Sequence, residues 1–292
     1  MTLPESSEQP LFDPGPATPA EILTRALDRP VWSENKADLI ARYLRYFVFI
    51  TKHGTYIDPF AGPQTERSGQ AWTVELVLAN EPPWLKRFFL FDIDAGQVDR
   101  LQTLAGGYPD REITIGRGNA NQVAPMTIPP GTIKEKEATF CLLDQRTFEC
   151  EWRLCEYIAG LRPGPRKIEQ FYFLANHWLL RALAAVNTDE GRAKIRRWLG
   201  DDDIERFTGT ASSLDRANHF ATKFREELGY RSVKPWPIFG KEEGRGPVMY
   251  YMIHATDHKE APKLMERAYR KAVAPPETTA QLSLELNDID LD

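Results

Sequence analysis

Residues 54–64 (GTYIDPFAGPQ) have the composition best suited to binding a ligand, because an apolar run ends there in an acid. Asp58 closes the run, and a turn that includes Phe60, Ala61 and Gly62 follows at once. A parallel strand can present an acid at the rim of a sheet in this way, while backbone N–H groups of the turn close over a ligand. The pattern favours a site for a nucleoside-containing cofactor. The alternative is a tight strand–helix connection with an N-capping Asp.

A second pair of acids, Asp92 and Asp94, ends the strand-like run at residues 87–94 (RFFLFDID). An acid at the tip of the neighbouring strand is the usual partner of ribose hydroxyl groups, about 20 residues beyond the glycine turn. Asp92 and Asp94 lie farther from the glycine turn than this spacing, and the loop at residues 65–71 accounts for the additional residues. Since acids two positions apart on a strand point to opposite faces, we predict that one of them binds ribose. The alternative is that both are solvated.

Three further polar residues follow strand-like runs. Asn119 and Asn121 lie just after a short predicted strand, where an amide could contact the edge of an adenine, although Asn is also a common turn former. Asp144 follows the apolar run at residues 138–143 (ATFCLL). Because reaction chemistry in open α/β sheets lies at the carboxyl ends of the strands, Asp144 is the candidate catalytic residue, as general base or substrate anchor. A hydrogen bond on the cofactor side is the alternative.

The elements that would position these residues alternate along the chain as in a doubly wound sheet. The sequence predicts strands at residues 55–58, 88–91, 112–115, 138–143 and 170–175, and helices at residues 32–49, 72–80, 97–104 and 152–159. A helical insertion follows at about residues 178–228, and two strands at residues 230–239 and 248–255 form an antiparallel hairpin. This order predicts a Rossmann-like class I methyltransferase fold, with a mostly parallel sheet closed by the C-terminal hairpin.

Composition bounds the protein class. The chain has 292 residues and a net charge of −5, which argues against a surface built throughout for phosphate backbones but leaves room for a local basic groove. We predict a flexible leader at residues 1–19, one domain at residues 20–273 and an acidic tail at residues 274–292. No apolar signal core or membrane span is found in the sequence, so we expect a cytoplasmic protein without a membrane partner.

The three cysteines, Cys141, Cys150 and Cys155, give no disulfide framework, and a reducing compartment follows. Metal ligation needs about four N or S ligands. No nearby histidine completes such a set, so we predict no metal site.

Two segments suggest macromolecular partners. The insertion has a basic cluster (Arg192, Lys194, Arg196 and Arg197) that is the best candidate for phosphate contacts with DNA or RNA; solvated surface is the alternative. In the tail, residues Gln281 to Leu286 (QLSLEL) resemble the hexapeptide by which bacterial DNA-processing proteins dock on the replication sliding clamp. Packing of that segment on the protein's own body is the alternative.

A family resemblance combines these motifs. The set comprises Trp32 with Lys36, YIDPFAGP at residues 56–63, FFLFDID at 88–94, GNAN at 118–121, CLLD at 141–144 and YYMIHATDH at 250–258. It resembles the three-Cys-motif partner (TcmP) family over about residues 30–273. The resemblance implies a class I methyltransferase-like fold, S-adenosylmethionine as cofactor and a radical-SAM-like partner protein that bears the three cysteines of the name. It also implies that Trp32 and Lys36 lie near the cofactor-side crevice.

The chain departs from the family pattern at three places. Gln64 stands at the last glycine position of the loop, Asn119 where an acid is common, and Gln145 with Arg146 where Pro and Gly are common. Two functions therefore stay open. One is an S-adenosylmethionine-dependent methyltransferase-like protein acting on nucleic acid. The other is a non-catalytic partner that keeps the fold and docks on protein or DNA.

Overall fold

A seven-stranded mixed sheet in the order β3-β2-β1-β4-β5-β7-β6 forms the centre of the protein. The computed structural model describes residues 31–63, 72–175, 179–200, 212–239 and 247–273, with the side chains of residues 31–35 and 180 outside that description. The strands are β1 (Gly54–Asp58), β2 (Leu85–Asp92), β3 (Glu112–Arg117), β4 (Thr139–Leu143), β5 (Glu169–Ala175), β6 (Ser232–Phe239) and β7 (Val248–Thr256).

Helices cover both faces of this sheet. They are α1 (Val31–Thr51), α2 (Thr73–Leu78), α3 (Ala95–Gly106), α4 (Ala120–Thr127), α5 (Trp152–Gly160), α6 (Leu179–Ala184), α7 (Asp189–Leu199), α8 (Ser213–Glu226) and α9 (Ala261–Val273). Apolar residues of α1, α2, α3 and α9 pack on one face, and those of α4 to α8 pack on the other. None of these described helices combines the length and apolarity that a membrane span needs.

The burial of the strands agrees with their positions in the sheet. Every residue of β1, β4 and β5 is buried, as expected for parallel strands covered by helices on both faces. β1, β2, β3, β4 and β5 pair in parallel, while β7 pairs antiparallel with both β5 and β6. The predicted class I methyltransferase-type fold is therefore confirmed: the sheet is mostly parallel and a C-terminal hairpin closes it.

The edge strand β6 carries Pro235 and Pro237. Proline lacks the N–H group that a ladder needs, so it is confined to edge strands and bulges. Because β6 pairs only with β7, these prolines suit the edge position, and they leave the opposite side of β6 without a second partner strand in the described residues.

Helix α1 runs along the strands, from the side where the parallel strands end (the carboxyl edge) to the side where they begin (the amino edge). Its predicted apolar stripe is buried as expected: Leu39, Ile40, Tyr43, Leu44 and Phe47. Near its start, Lys36 contacts Asp144 just after β4, whereas Thr51 at its end lies beside the point where β1 begins. The 21-residue helix therefore reaches both edges of the sheet.

Three helical details differ from the sequence-based predictions. Residues 120–127 form α4 rather than an Asn-rich turn, because Asn119 acts as its N-cap. Residues 261–273 form α9, which the sequence analysis did not predict. The first part of the predicted helical insertion is divided into α6 and α7, since Thr188 starts α7 by accepting a hydrogen bond from the Gly191 backbone N–H.

Candidate functional site

A cavity of about 600 Å³ lies at the carboxyl ends of the parallel strands, and we call it the carboxyl-edge cavity. The loop after β1, the ends of β2 and β3, the segment after β4 and helix α7 all contribute to its wall. The predicted site residues that line it are Phe60, Gly62, Asp92, Asp94, Asn119, Asn121 and Asp144. The topology thus brings together side chains that are far apart in the sequence.

Asp92 and Gly62 are coupled directly. The Gly62 N–H donates to Asp92 Oδ2 at 3.0 Å, and the Asp94 N–H donates to Asp92 Oδ1 at 2.9 Å. A Cβ atom at position 62 would lie 2.2 Å from Asp92 Oδ2 and 2.8 Å from the Gln97 Cβ. Position 62 therefore favours glycine, because any side chain there displaces the Asp92 carboxylate and crowds the Gln97 Cβ.

Residues 93 and 94 have different roles from Asp92. Asp94 is the N-cap of α3, where its side chain accepts from the Gln97 N–H at 3.0 Å. Ile93, between the two acids, leaves 70% of its surface exposed and lines the cavity. Ile93 was not among the predicted site residues. The signal was an apolar residue between two acids just where a strand ends.

The two asparagines also separate by role. Asn121 is buried, donates from Nδ2 to Asn119 Oδ1 (2.9 Å) and to the Glu149 carbonyl (2.7 Å), and accepts from the Glu151 N–H (2.9 Å). Its amide thus pins the segment after β4 to α4. Asn119 is exposed on the cavity wall, where its side-chain oxygen caps α4. Of the pair, Asn119 is the one whose amide nitrogen stays available to a ligand.

Two predicted residues, Asp58 and Ala61, lie behind the loop rather than on the cavity wall. The buried Asp58 carboxylate accepts from the Tyr56 hydroxyl at 2.9 Å and from the Phe60 N–H at 3.0 Å. Burial raises the Asp58 pKa to about 7, against the lowering effect of the Phe60 hydrogen bond and with a smaller raising effect from the Asp144 charge. Ala61 is buried and binds the Phe91 carbonyl through its N–H at 2.8 Å.

Asp144 forms a buried ion pair with Lys36. The Lys36 Nζ lies 2.8 Å from Asp144 Oδ1 and 2.6 Å from Oδ2, and both side chains are less than a tenth exposed. The rings of Phe173 and Tyr250 flank the ammonium group at 5.0 and 5.2 Å. Lys36 itself does not line the cavity; it contacts Asp144, which does. The side chain of Trp32 lies outside the described part of the chain.

The far wall of the cavity is charged with both signs. Glu149, Glu151, Arg146, Lys194 and Arg197 line it. Arg197 Nε lies 3.1 Å from Glu151 Oε1, which joins α7 to the segment after β4. Two members of the predicted basic cluster of the insertion thus border the cavity. Gln64 and the tail residues 281–286 lie outside the described residues.

The cysteines are distributed within the core. Cys141, Cys150 and Cys155 are all free and buried, and burial raises the thiol pKa of Cys141 and Cys150 well above the usual value. Within the described residues, no group of three or more His, Cys, Asp or Glu side chains is arranged to hold a metal ion.

Comparisons with known proteins give likenesses to solved structures alone. No protein-family model and no curated protein sequence matches the chain. The CurJ carbon methyltransferase is 14% identical with a TM-score of 0.42, over 71% of this chain and 49% of that one. The DszA carbon methyltransferase is 14% identical with a TM-score of 0.40, over 70% and 47%. This chain therefore spans about half the length of both proteins.

A Legionella pneumophila protein is also similar, at 8% identity and a TM-score of 0.46, over 84% of this chain and 92% of that one. The fold assignment rests on the strand order and pairing described above, and no residue's role is taken from these proteins.

Proposed function

We propose that the protein is an S-adenosylmethionine-dependent methyltransferase. The observation that carries the proposal is the contact between Asp92 and the Gly62 N–H in the carboxyl-edge cavity. Rossmann-type sheets hold a nucleoside by an acid at the end of the second strand, next to a loop in which a glycine lets the backbone approach the ligand.

The residues present fit that cofactor. A cavity of about 600 Å³ is within the usual range for a cofactor-sized molecule. Asp92 would accept hydrogen bonds from the ribose hydroxyls, the exposed face of Ile93 would pack on the base, and the Asn119 amide would meet the base edge. Phe60 and Gly62 would border the remainder through the loop backbone.

When bound, S-adenosylmethionine supplies an electrophilic methyl group. The chain's part is to hold the acceptor in line with that group, since orientation provides most of the rate in such reactions. We assign Asp144 to anchoring the acceptor rather than to proton removal, because both its oxygens are already paired with the Lys36 ammonium. The aromatic rings around Lys36 keep this pair in place.

We further propose that the acceptor is a nucleic acid. Arg146, Lys194 and Arg197 border the cavity, and cations at such a position attract a phosphate backbone. The radical-SAM-like partner implied by the family resemblance belongs to the same proposal, and co-purification from the native host tests it.

Calorimetric titration with S-adenosylmethionine and S-adenosylhomocysteine tests cofactor binding. We expect both ligands to bind, and Gly62→Ala to weaken binding at least tenfold, about 1.4 kcal/mol, because the new Cβ displaces Asp92. Gly106→Ala is the matched control, since a Cβ there has no neighbour within 4 Å. Absence of binding at millimolar ligand would overturn the proposal and favour the non-catalytic docking protein.

Transfer of a radiolabelled methyl group to total RNA and to genomic DNA tests the acceptor. Lys194→Gln should reduce labelling and its dependence on salt concentration. Arg192→Gln, on the same helix but not on the cavity wall, should leave labelling unchanged. Equal labelling by both variants would contradict the proposed contact between the nucleic acid and the cations that border the cavity.

A further inference from the structure

A second cavity, of about 250 Å³, lies at the opposite edge of the sheet, where the parallel strands begin. We call it the amino-edge cavity. Four separate segments contribute to its wall: residues 43–53, 136–139, 162–169 and 256–264. The two cavities share no lining residue. The amino-edge cavity is therefore a different site from the proposed cofactor site.

Positive charge is concentrated on the wall of the amino-edge cavity. Lys136, Arg162, Arg166 and Lys167 line it, together with two histidines, and among the described lining residues Glu169 is the acid that opposes them. The whole chain has a net charge of −5. A local excess of the opposite sign inside a concave site focuses the field on an anion.

Several of these cations are available to a ligand. Lys167 is engaged, since its Nζ lies 3.3 Å from Asp257 Oδ2 and 2.9 Å from the Gly229 carbonyl oxygen. Among the described residues, Arg162 donates only to the neutral Glu135 carbonyl, at 2.8 and 2.6 Å. Lys136 and Arg166 are exposed and form no ion pair within the described part of the chain.

The two arginines lie close enough to affect each other. The Arg162 guanidinium pKa is lowered, first by burial and then by the positive charge of Arg166, against the raising effect of Glu135, Glu137 and Asp257. Two guanidinium groups that repel each other at a cavity mouth form a natural site for an anion with several oxygens.

The inner end of the amino-edge cavity has a different character. The buried Glu169 carboxylate accepts from the Tyr43 hydroxyl, lies 2.7 Å from His254 Nε2, and accepts from Thr256 Oγ1 at 3.2 Å. Carboxylate oxygens accept more than one hydrogen bond each. This end therefore favours a hydroxyl group of a ligand and repels its anionic part toward the cations at the mouth.

We propose that the amino-edge cavity binds a small phosphorylated, hydroxyl-bearing molecule such as a sugar phosphate. The phosphate group contacts Lys136, Arg162 and Arg166, and a hydroxyl group donates to Glu169. The apolar side chains of Phe47 and Leu264, which also line the cavity, cover the carbon skeleton.

Calorimetric titration of the full chain with ribose 5-phosphate, inorganic phosphate and a single-stranded oligonucleotide tests this proposal. We expect ribose 5-phosphate to bind more tightly than inorganic phosphate, because only the ester reaches Glu169. Lys136→Gln combined with Arg166→Gln should weaken ester binding at least tenfold. The charge-matched control is Arg45→Gln with Lys86→Gln, two exposed cations that do not line the cavity.

Three results would overturn the proposal. They are no ester binding at millimolar concentration, equal weakening by the variant and its charge-matched control, and binding of the oligonucleotide without binding of the ester. Both variants change exposed side chains, so their thermal midpoints should equal that of the parent chain. S-adenosylmethionine binding, measured on the same preparations, should be unaffected by either variant.

Discussion

The two edges of one sheet carry opposite chemistry. At the carboxyl edge, acids such as Asp92 and Asp144 outnumber the cations on the cavity wall, whereas at the amino edge cations surround the buried Glu169. Helix α1 supplies a partner at both: Lys36 to Asp144 and Tyr43 to Glu169. One buried carboxylate is thus balanced by a charge and the other by neutral hydroxyl groups and a histidine. The net charge of the whole chain therefore does not predict the local charge at either cavity.

The largest expected effect is from Lys36→Ala. It leaves the buried Asp144 carboxylate without its cation, and such unpaired buried charges cost about 3–5 kcal/mol. The free energy of unfolding, measured with urea, should fall by that amount. Combining Lys36→Met with Asp144→Leu removes both charges and should restore most of the loss. If the double variant is no more stable than Lys36→Ala, the stability lost in Lys36→Ala is not caused by the unpaired Asp144 charge.

The buried acid behind the loop gives the next largest effect, and it depends on pH. The Asp58 pKa is raised from 3.8 to about 7, chiefly by burial. The folded protein therefore binds this proton more tightly than the unfolded chain, and the stability it contributes is present below pH 3.8 and lost as pH rises toward 7.

Over that window the loss is about 3 kcal/mol. Urea unfolding at pH 4 and pH 7 gives the free energy of unfolding of the parent chain and of Asp58→Asn. Between these pH values the free energy of the parent chain should fall by more than that of the variant. Parallel pH profiles for the two proteins would contradict the raised pKa.

At the amino edge, Tyr43→Phe should be less costly than the loss of Lys36. The Glu169 carboxylate loses one hydrogen bond but keeps His254 and Thr256, and a hydrogen bond to a charged group contributes about 1.5–3 kcal/mol. Chemical unfolding of Tyr43→Phe and Lys36→Ala side by side checks the order. An equal or larger loss for Tyr43→Phe would remove the distinction between the two edges.

The smallest effect is expected from Lys86→Gln. The Lys86 and Asp110 side chains form an ion pair at 3.1 Å and are each about half exposed. Solvent screens such a pair, so the urea midpoint should not change measurably. A clear decrease would mean that exposure does not govern the contribution of ion pairs in this protein.

Sequence patterns predicted the elements that are locally encoded. The apolar run before Asp144 predicted one strand, and the FFLFDID run predicted another that ends in acids; both strands were found. Helix α9 has Leu264, Met265 and Ala268 at helical spacing, a local signal that the sequence analysis overlooked.

Other features depend on contacts between distant segments, which no local pattern encodes. Asn121 is committed to backbone atoms of Glu149 and Glu151, so its role follows from tertiary packing rather than from its turn-like neighbours. The amino-edge cavity likewise needs four segments from different parts of the chain. The pairing of Lys36 with Asp144, across 108 positions, is of the same kind.

The contact between Gly62 and Asp92 limits how this site can be redesigned or diverge. Since the Asp92 carboxylate and the Gln97 Cβ fill the space that a side chain at position 62 would occupy, position 62 cannot be enlarged on its own. A library that randomises the loop alone would lose the acid before it gained a new contact. Introducing a larger residue at position 62 therefore requires that positions 92 and 97 be changed together with it.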